Sequence, residues 1–379
     1  MKFPEKLQRK LDNRGINNSL RKLNQTHDLV DFTSNDYLGF AKSLDIYQKA
    51  HELVLSIGGD YNGSTGSRLL TGNHSIYAQL EESLKKIHQS DAALVFNSGY
   101  DANLGLFGSL LQRNDTVLFD KLSHASIRDG IKLSQAKSIA FDHNNLDHLE
   151  QKLIKHFKPK GNNEIYVVTE SVFSMDGDSP DLLKLCEICQ KYQAKLLIDE
   201  AHAIGVHGYG MIQQLNLTDL VFARIITFGK ALGCHGAVVL GSKNLINYLI
   251  NFARSFIYTT AMSPHSIATI IEAYKKLDSF SAVSLQTNIE FFSTKVKQLK
   301  LEGSFIKSDS AIHSCIISEN NKVKSIAEKL QQQFDVKAIL APTVPVGQER
   351  LRFCLHSNNT TTQIKHVLEL LKRCLKEFS

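Results

Sequence analysis

The stretch "RIITFGKALG" (224–233) sets a single lysine, Lys230, in a turn of small residues directly after a β-branched run. Upstream, "KLLIDEAHAIG" (195–205) is a second short strand-like run that ends in Asp199, with His202 three residues on. A lysine, an acid and a histidine at the ends of neighbouring strands are the parts needed to hold pyridoxal 5′-phosphate (PLP). The lysine makes the Schiff base, and the carboxylate keeps the pyridine nitrogen protonated so that the ring can take up electrons. Alone, a lysine after a strand is ordinarily a solvated loop residue, so the surrounding pattern has to carry the reading.

That pattern is an alternation. Apolar runs at 92–96, 116–119, 138–141, 165–169, 195–198, 224–227 and 237–240 are separated by helical periods, such as Ile76, Leu80, Leu84 and Ile87, or 146–154 and 182–192. Short, nearly continuous apolar strands between helices predict an α/β fold with a mainly parallel seven-stranded sheet covered on both faces. Ligands on such sheets bind at the carboxyl ends of the strands. The ends here carry Asn97 to Tyr100, Thr169-Glu170, Asp199, and Thr227 to Lys230. After about residue 283 the texture changes to strands paired with helices, which predicts a small C-terminal α+β domain. The expected organisation is an N-terminal arm (1–42), a large cofactor-binding domain (43–283) and the small domain (284–379).

Composition narrows the function. The 379 residues carry 44 basic and 38 acidic side chains, a net charge of +6. That balance suits anionic small substrates and gives no footing for nucleic acid. No run approaches the ~18 apolar residues of a membrane span, and "MKFPEKLQRKLDN" has no apolar signal core, so a cytoplasmic location is expected. Cys186 and Cys189 form a CxxC with no second pair and fall on the apolar face of a helical period. They read as buried helical thiols, and no metal is expected.

Further segments add chemistry. "NSGYDAN" (97–103) opens a helix after a strand, where the first amides favour a phosphate. In "KLSHASIRDG" (121–130) His124 is an aromatic ring that can stack on a planar cofactor, or else a surface histidine behind an N-capping Ser123. In "TESVFSMDGDSPDL" (169–182) Ser174 can donate to a ring oxygen, the acids lack calcium-loop spacing, and Pro180-Asp181 marks a helix start. The glycine-rich "YNGSTGSRLLTGNH" (61–74) is neither a P-loop nor a dinucleotide fingerprint; a mobile active-site or dimer-contact loop is expected. In "VPVGQERLRFCL" (344–355) Arg350 and Arg352 share one strand face. An arginine there suits a carboxylate, against the plainer alternative of a solvated face.

Together "SNDYLG" (34–39), "SHAS", "TESVFSMDGD", "DEAHAIGVHG" and "TFGKALG" resemble the α-oxoamine synthases. These are fold-type I PLP enzymes that join an amino acid to an acyl thioester with loss of CO2. The resemblance extends from "LDNRGINNSLRKL" (11–23) to "PTVPVGQERLRF" (342–353). It implies Lys230 as the Schiff-base lysine, Asp199 on the pyridine nitrogen, His202 and Ser174 at the phenolic oxygen, and His124 stacked on the ring and polarising the ketone. It also implies Ser98, Gly99 and Tyr100 at the cofactor turn and Thr227 on the phosphate, joined by Thr259 or Thr260 of a neighbouring subunit in a homodimer. Asn35, Arg352, Arg21, Thr343 and His124 would face substrate, with CoA or an acyl-carrier protein as the thiol. "GSRLLTGNH" is most like members that use L-alanine and a pimeloyl thioester. One departure is Leu340-Ala341, where many of those have Arg-Pro. Glycine-, serine- or succinyl-using members share the same catalytic set. An aminotransferase would share the lysine and aspartate but not "SHAS", and an NAD enzyme would need the missing glycine fingerprint.

Overall fold

The computed structural model describes residues 3–16, 20–21, 23, 28–58, 61–157, 163–280, 282–341 and 343–377. They form two compact units: Asn35–Ser174 with Asp178–Ala282, and Met1–Ser34 with Met175–Gly177 and Val283–Ser379. The described residues among the first 34 therefore group with the C-terminal ones, and the large unit begins at Asn35.

The large unit is built on seven strands: β1 (Ala92–Phe96), β2 (Thr116–Asp120), β3 (Lys137–Phe141), β4 (Ile165–Glu170), β5 (Lys195–Asp199), β6 (Ala223–Thr227) and β7 (Ala237–Gly241). Their order is β1-β7-β6-β5-β4-β2-β3. The run from β6 to β3 is parallel, whereas β7 is antiparallel to both of its neighbours. The reason is local. Only residues 228–236 join β6 to β7, fewer than the dozen or so that a parallel crossover needs. Lys230 thus lies in the loop of a hairpin.

Alternate side chains of each strand enter different cores, which is why the runs read as continuously apolar. Tyr166, Val168 and Leu197 join helix α1 (Gly99–Leu110) and helix α2 (Ala125–Leu133) through Leu106, Phe107, Ile127 and Ile131. Ile165, Val167, Leu196 and Ile198 join Leu149, Leu153, Leu185, Cys186 and Cys189 on the other face. Both thiols of the CxxC are buried in that core, and desolvation raises the Cys186 pKa to about 11. Asp181 caps their helix by accepting from the Lys184 amide at 3.0 Å.

The glycine-rich loop is held in place: Arg68 forks onto Glu81 at 2.5 and 3.0 Å, and Gly66 O accepts from the Ala261 amide at 2.9 Å.

The other unit carries a three-stranded antiparallel sheet, β8 (Ile312–Ile316), β9 (Lys337–Ile339) and β10 (Arg350–Cys354), in the order β9-β10-β8. Helices Val283–Gln298, Asn320–Leu330 and Thr361–Glu377 complete it. Val30–Asp31 pairs in parallel with Phe334–Asp335, and Phe32 packs edge-on to Phe334 and Phe353. Arg350 and Arg352 are both buried, which removes the plainer alternative of a solvated face. Asp176 pairs with Arg350, which lets a guanidinium leave water on a strand that is apolar at Leu351 and Phe353.

Candidate active site

The carboxyl ends of β4, β5 and β6 and the segments that follow carry four of the residues singled out from sequence: Asp199, His202, Thr227 and Lys230. Asp199 closes β5 and is buried. Its Oδ1 accepts from the Ala201 amide at 2.9 Å, and its Oδ2 accepts from Asn103 Nδ2 at 2.9 Å. The same Asn103 amide donates to Ser126 Oγ at 2.9 Å, and Ser126 Oγ lies 2.7 Å from His124 Nδ1. A buried carboxylate, an amide, a hydroxyl and an imidazole are thereby joined in one network across β5, α1 and α2.

Lys230 is half-buried. Its turn is closed by Gly233, whose φ of 61° is the left-handed conformation glycine adopts at no cost, and the Gly233 amide donates back to Lys230 O at 2.8 Å. Lys230 Nζ lies 2.6 Å from His202 Nε2, and His202 Nδ1 lies 2.7 Å from the Tyr37 hydroxyl. His202 and Tyr37 are both buried.

His124 caps α2: its Nδ1 accepts from the Ser126 amide at 3.2 Å. The cap is therefore the histidine and not Ser123. The residue is exposed at its outer edge, but Nδ1 is bonded inward to Ser126. Desolvation there lowers its pKa, opposed by Asp199 and reinforced by Lys230. The His124 amide donates to Glu170 Oε1 at 2.6 Å. Glu170 is wholly buried, and burial followed by the charge of Asp199 pushes its pKa up to about 8, with Lys230 opposing.

A cradle for an anion lies one strand over. Ser98 caps α1, accepting from the Asp101 amide at 3.0 Å. A Cβ placed on Gly99 would come 3.5 Å from Thr227 Oγ1, so the Thr227 hydroxyl and the positive end of the helix converge. Tyr100 is exposed and donates to Asp129 Oδ2 at 2.8 Å. Asn97 Nδ2 donates to Thr259 Oγ1 at 3.0 Å and to Thr260 O at 2.7 Å, which leaves the Thr260 residue on the surface. Ser174 is half-buried in the segment after β4. An amine, a buried carboxylate and a hydroxyl beside a helix N-terminus match the aldehyde, pyridine nitrogen and phosphate of PLP in kind and number.

Asn35 accepts from the Tyr37 hydroxyl at 3.2 Å through Oδ1. In the other unit Arg352 is buried on β10, and Arg21 and Thr343 are exposed. Glu170 was noted from sequence only as a strand-end residue, and Asn103, Ser126 and Tyr37 were given no role there. All four lie within quoted motifs, but nothing in a linear reading marks a polar residue as the partner of another far along the chain.

Comparison with known proteins agrees with this geometry. The model of the family "Aminotransferase class I and II" matches residues 27–371. A protein of Emericella nidulans named 8-amino-7-oxononanoate synthase is 38% identical over 374 residues, covering 92% of this chain and 89% of the relative. The crystal structure of 8-amino-7-oxononanoate synthase from Francisella tularensis superposes with a TM-score of 0.77 at 32% identity, covering 93% and 99% of the two chains. A variant of serine palmitoyltransferase from S. paucimobilis with bound PLP gives 0.84 at 26% identity, covering 92% and 88%. The chain belongs to the aminotransferase class I and II family and, within it, to the PLP-dependent α-oxoamine synthases.

Proposed function

We propose that this enzyme condenses L-alanine with a pimeloyl thioester, of CoA or an acyl-carrier protein, to give 8-amino-7-oxononanoate, CO2 and free thiol. The observation that carries the substrate choice is the likeness over nine-tenths of the chain to the Emericella nidulans enzyme of that name. PLP would be held by Lys230 until the amino acid's amine takes the lysine's place and frees its Nζ, and would supply a ring that accepts the electrons freed at the amino acid's Cα.

The chain's own groups do the rest. Lys230 Nζ takes the Cα proton, which makes Cα the nucleophile toward the thioester carbonyl, and the thiol leaves. The carboxylate then departs as CO2, and a proton returns to Cα. Asp199, buried and held by Asn103 and the Ala201 amide, has the charge and fixity to keep a proton on the pyridine nitrogen. His124 covers the ring and polarises the new ketone, and its lowered pKa leaves it neutral near pH 7. His202 and Ser174 serve the phenolic oxygen. Ser98, Gly99, Tyr100 and Thr227 serve the phosphate. Asn35, Arg352, Arg21 and Thr343 carry the substrate roles.

The same reading makes the working form a cytoplasmic homodimer in which Thr259 or Thr260 reaches the partner's phosphate. Thr260 is exposed, and the exposed Leu70 and Tyr258 belong to the segments that flank it. The six cysteines are free thiols, as suits a reducing compartment.

The experiment measures thiol release with alanine, glycine and serine against pimeloyl, acetyl, succinyl and palmitoyl thioesters. Alanine with pimeloyl should be fastest. A clear lead for glycine with acetyl or succinyl, or for serine with palmitoyl, overturns the substrate assignment. Leu340 sharpens the test, because a buried distal carboxylate without a cation costs several kcal/mol. The methyl ester of the pimeloyl donor should therefore compete well with the free acid. Sedimentation of the active enzyme as a monomer would remove the dimer.

A further inference from the structure

Thr260 is exposed on a stretch without regular structure, between the helices Arg254–Ile257 and Pro264–Ser279. An irregular surface stretch commonly leaves its backbone groups to water. Here protein groups take them. The Thr260 carbonyl accepts from Asn97 Nδ2 at 2.7 Å, and the Ala261 amide donates to Gly66 O at 2.9 Å. The Met262 amide donates to the Tyr77 hydroxyl at 2.8 Å, and the Met262 carbonyl accepts from Ser64 Oγ.

The groups that hold this stretch are themselves fixed. Tyr77 is buried in the first turn of the helix Ser75–Ile87, and Ser64 is buried as well. The Arg68 guanidinium lies 4.0 Å from the Tyr77 ring centroid. Arg68 is forked onto Glu81, whose Oε1 also accepts from the Val95 amide on β1 at 2.9 Å. A Cβ on Gly72 would come 2.7 Å from Ala261 Cβ, so the glycine-rich loop closes on this stretch only with a glycine there.

We propose that Tyr77 is a positioning residue for the active site of the other subunit: its hydroxyl, through the Met262 amide, fixes residues 260–262 so that Thr260 presents its own hydroxyl to the partner's PLP phosphate. The proposal rests on the shared-site reading given above and narrows it to Thr260. Thr259 Oγ1 is turned to Asn97 of its own subunit at 3.0 Å, whereas Thr260 is exposed. The effect is preorganisation. A phosphate gains from a hydroxyl only what is left after the hydroxyl's segment has been ordered, and a segment whose backbone is already hydrogen-bonded has little order left to lose.

The test removes PLP from the purified dimer and titrates it back, following the visible absorbance of the lysine-bound cofactor. Tyr77→Phe keeps the ring beneath Arg68 and removes only the oxygen that accepts from Met262. Its Kd for PLP should rise roughly 3- to 10-fold, the worth of one hydrogen bond. Ser64→Ala frees the Met262 carbonyl and should shift the Kd the same way. In a Thr260→Val background Tyr77→Phe should add less than about twofold, because it acts through that hydroxyl. Unchanged affinity in both Tyr77→Phe and Ser64→Ala, or full additivity with Thr260→Val, overturns the proposal.

Mixed dimers of differently tagged chains then assign the subunit. With one Lys230→Ala chain and one Tyr77→Phe chain, the single site that can bind PLP through a lysine takes its Thr260 from the chain with Tyr77 intact. Its Kd should return to the wild-type value. A Kd that stays at the Tyr77→Phe value places the effect within one subunit and overturns the proposal. Replacing Tyr77→Phe by Thr260→Val in the same mixture tests the shared site alone. Recovery there without recovery for Tyr77→Phe sinks only the Tyr77 assignment, and no recovery in either sinks the shared site as well.

Discussion

Glu170 and Asp199 lie side by side, paired in register at the carboxyl ends of the parallel strands β4 and β5, and both are buried. Two carboxylates so placed do not both ionise easily, and the structure divides their tasks. Asp199 is held by two donors, from Ala201 and Asn103, while Glu170 accepts from the His124 amide and has its pKa raised to about 8, first by burial and then by Asp199.

A carboxyl whose folded pKa is raised favours the folded state fully below the unfolded value, near 4.5, and loses that contribution as pH climbs through about 8. The slope is about 1.4 kcal/mol per pH unit within that window. Glu170→Gln keeps the acceptor for the His124 amide and has no proton to lose. Urea denaturation at pH 5, 7 and 9 should show a flatter profile for the variant and a relative gain at pH 9. Parallel profiles would mean that Glu170 is ionised throughout.

His143 bridges Asp120 at 3.0 Å through Nδ1 and Asp178 at 2.8 Å through Nε2, and these two contacts raise its pKa to about 9 against the desolvation that opposes them. It ties the segment leading to His124 to the segment that follows Ser174. Here the stabilisation is complete below about 6.5 and is lost as pH rises through about 9. Asp120 is fully buried, so His143→Leu leaves it only the Leu122 and Asn144 amides, at 2.8 Å each, without a cation and should cost about 3 kcal/mol near pH 6. The deficit should shrink toward pH 10. Thermal melts across that range decide it.

Borohydride reduction of the holoenzyme followed by peptide mapping should place the reduced cofactor on Lys230. Lys230→Ala should keep its fold and some PLP affinity, since the contacts proposed for Thr227 and Asp199 would remain, and lose turnover by several orders of magnitude. A tag on any other lysine would reassign the centre.

Asp199→Asn is nearly isosteric, and its carbonyl oxygen still accepts from Asn103 or the Ala201 amide. Melting temperature should therefore change little while kcat falls at least 100-fold, through loss of the charge that holds the pyridine proton. Near-normal kcat in this variant rules out the electron-sink role for Asp199.

All seven strands of the large sheet were legible in the sequence to within a residue at each end. In a sheet covered on both faces every strand position is buried, so the strand appears as an unbroken apolar run that stops where the backbone leaves the sheet. Asp199 and Thr227 drew attention for the same reason, since each closes a strand, and Lys230 because it lies in the small-residue loop just beyond. The reversed direction of β7 was implicit in the short connection from β6. Other features needed the tertiary structure. Asn103 reaches Asp199 across 96 positions, and Tyr37 reaches His202 across 165. A polar contact of that kind is one donor meeting one acceptor, with no periodicity to announce it. The raised pKa of Glu170 and the burial of Arg350 and Arg352 come from the same source. Each depends on how much water is excluded and which charge stands opposite, and only the folded chain determines those.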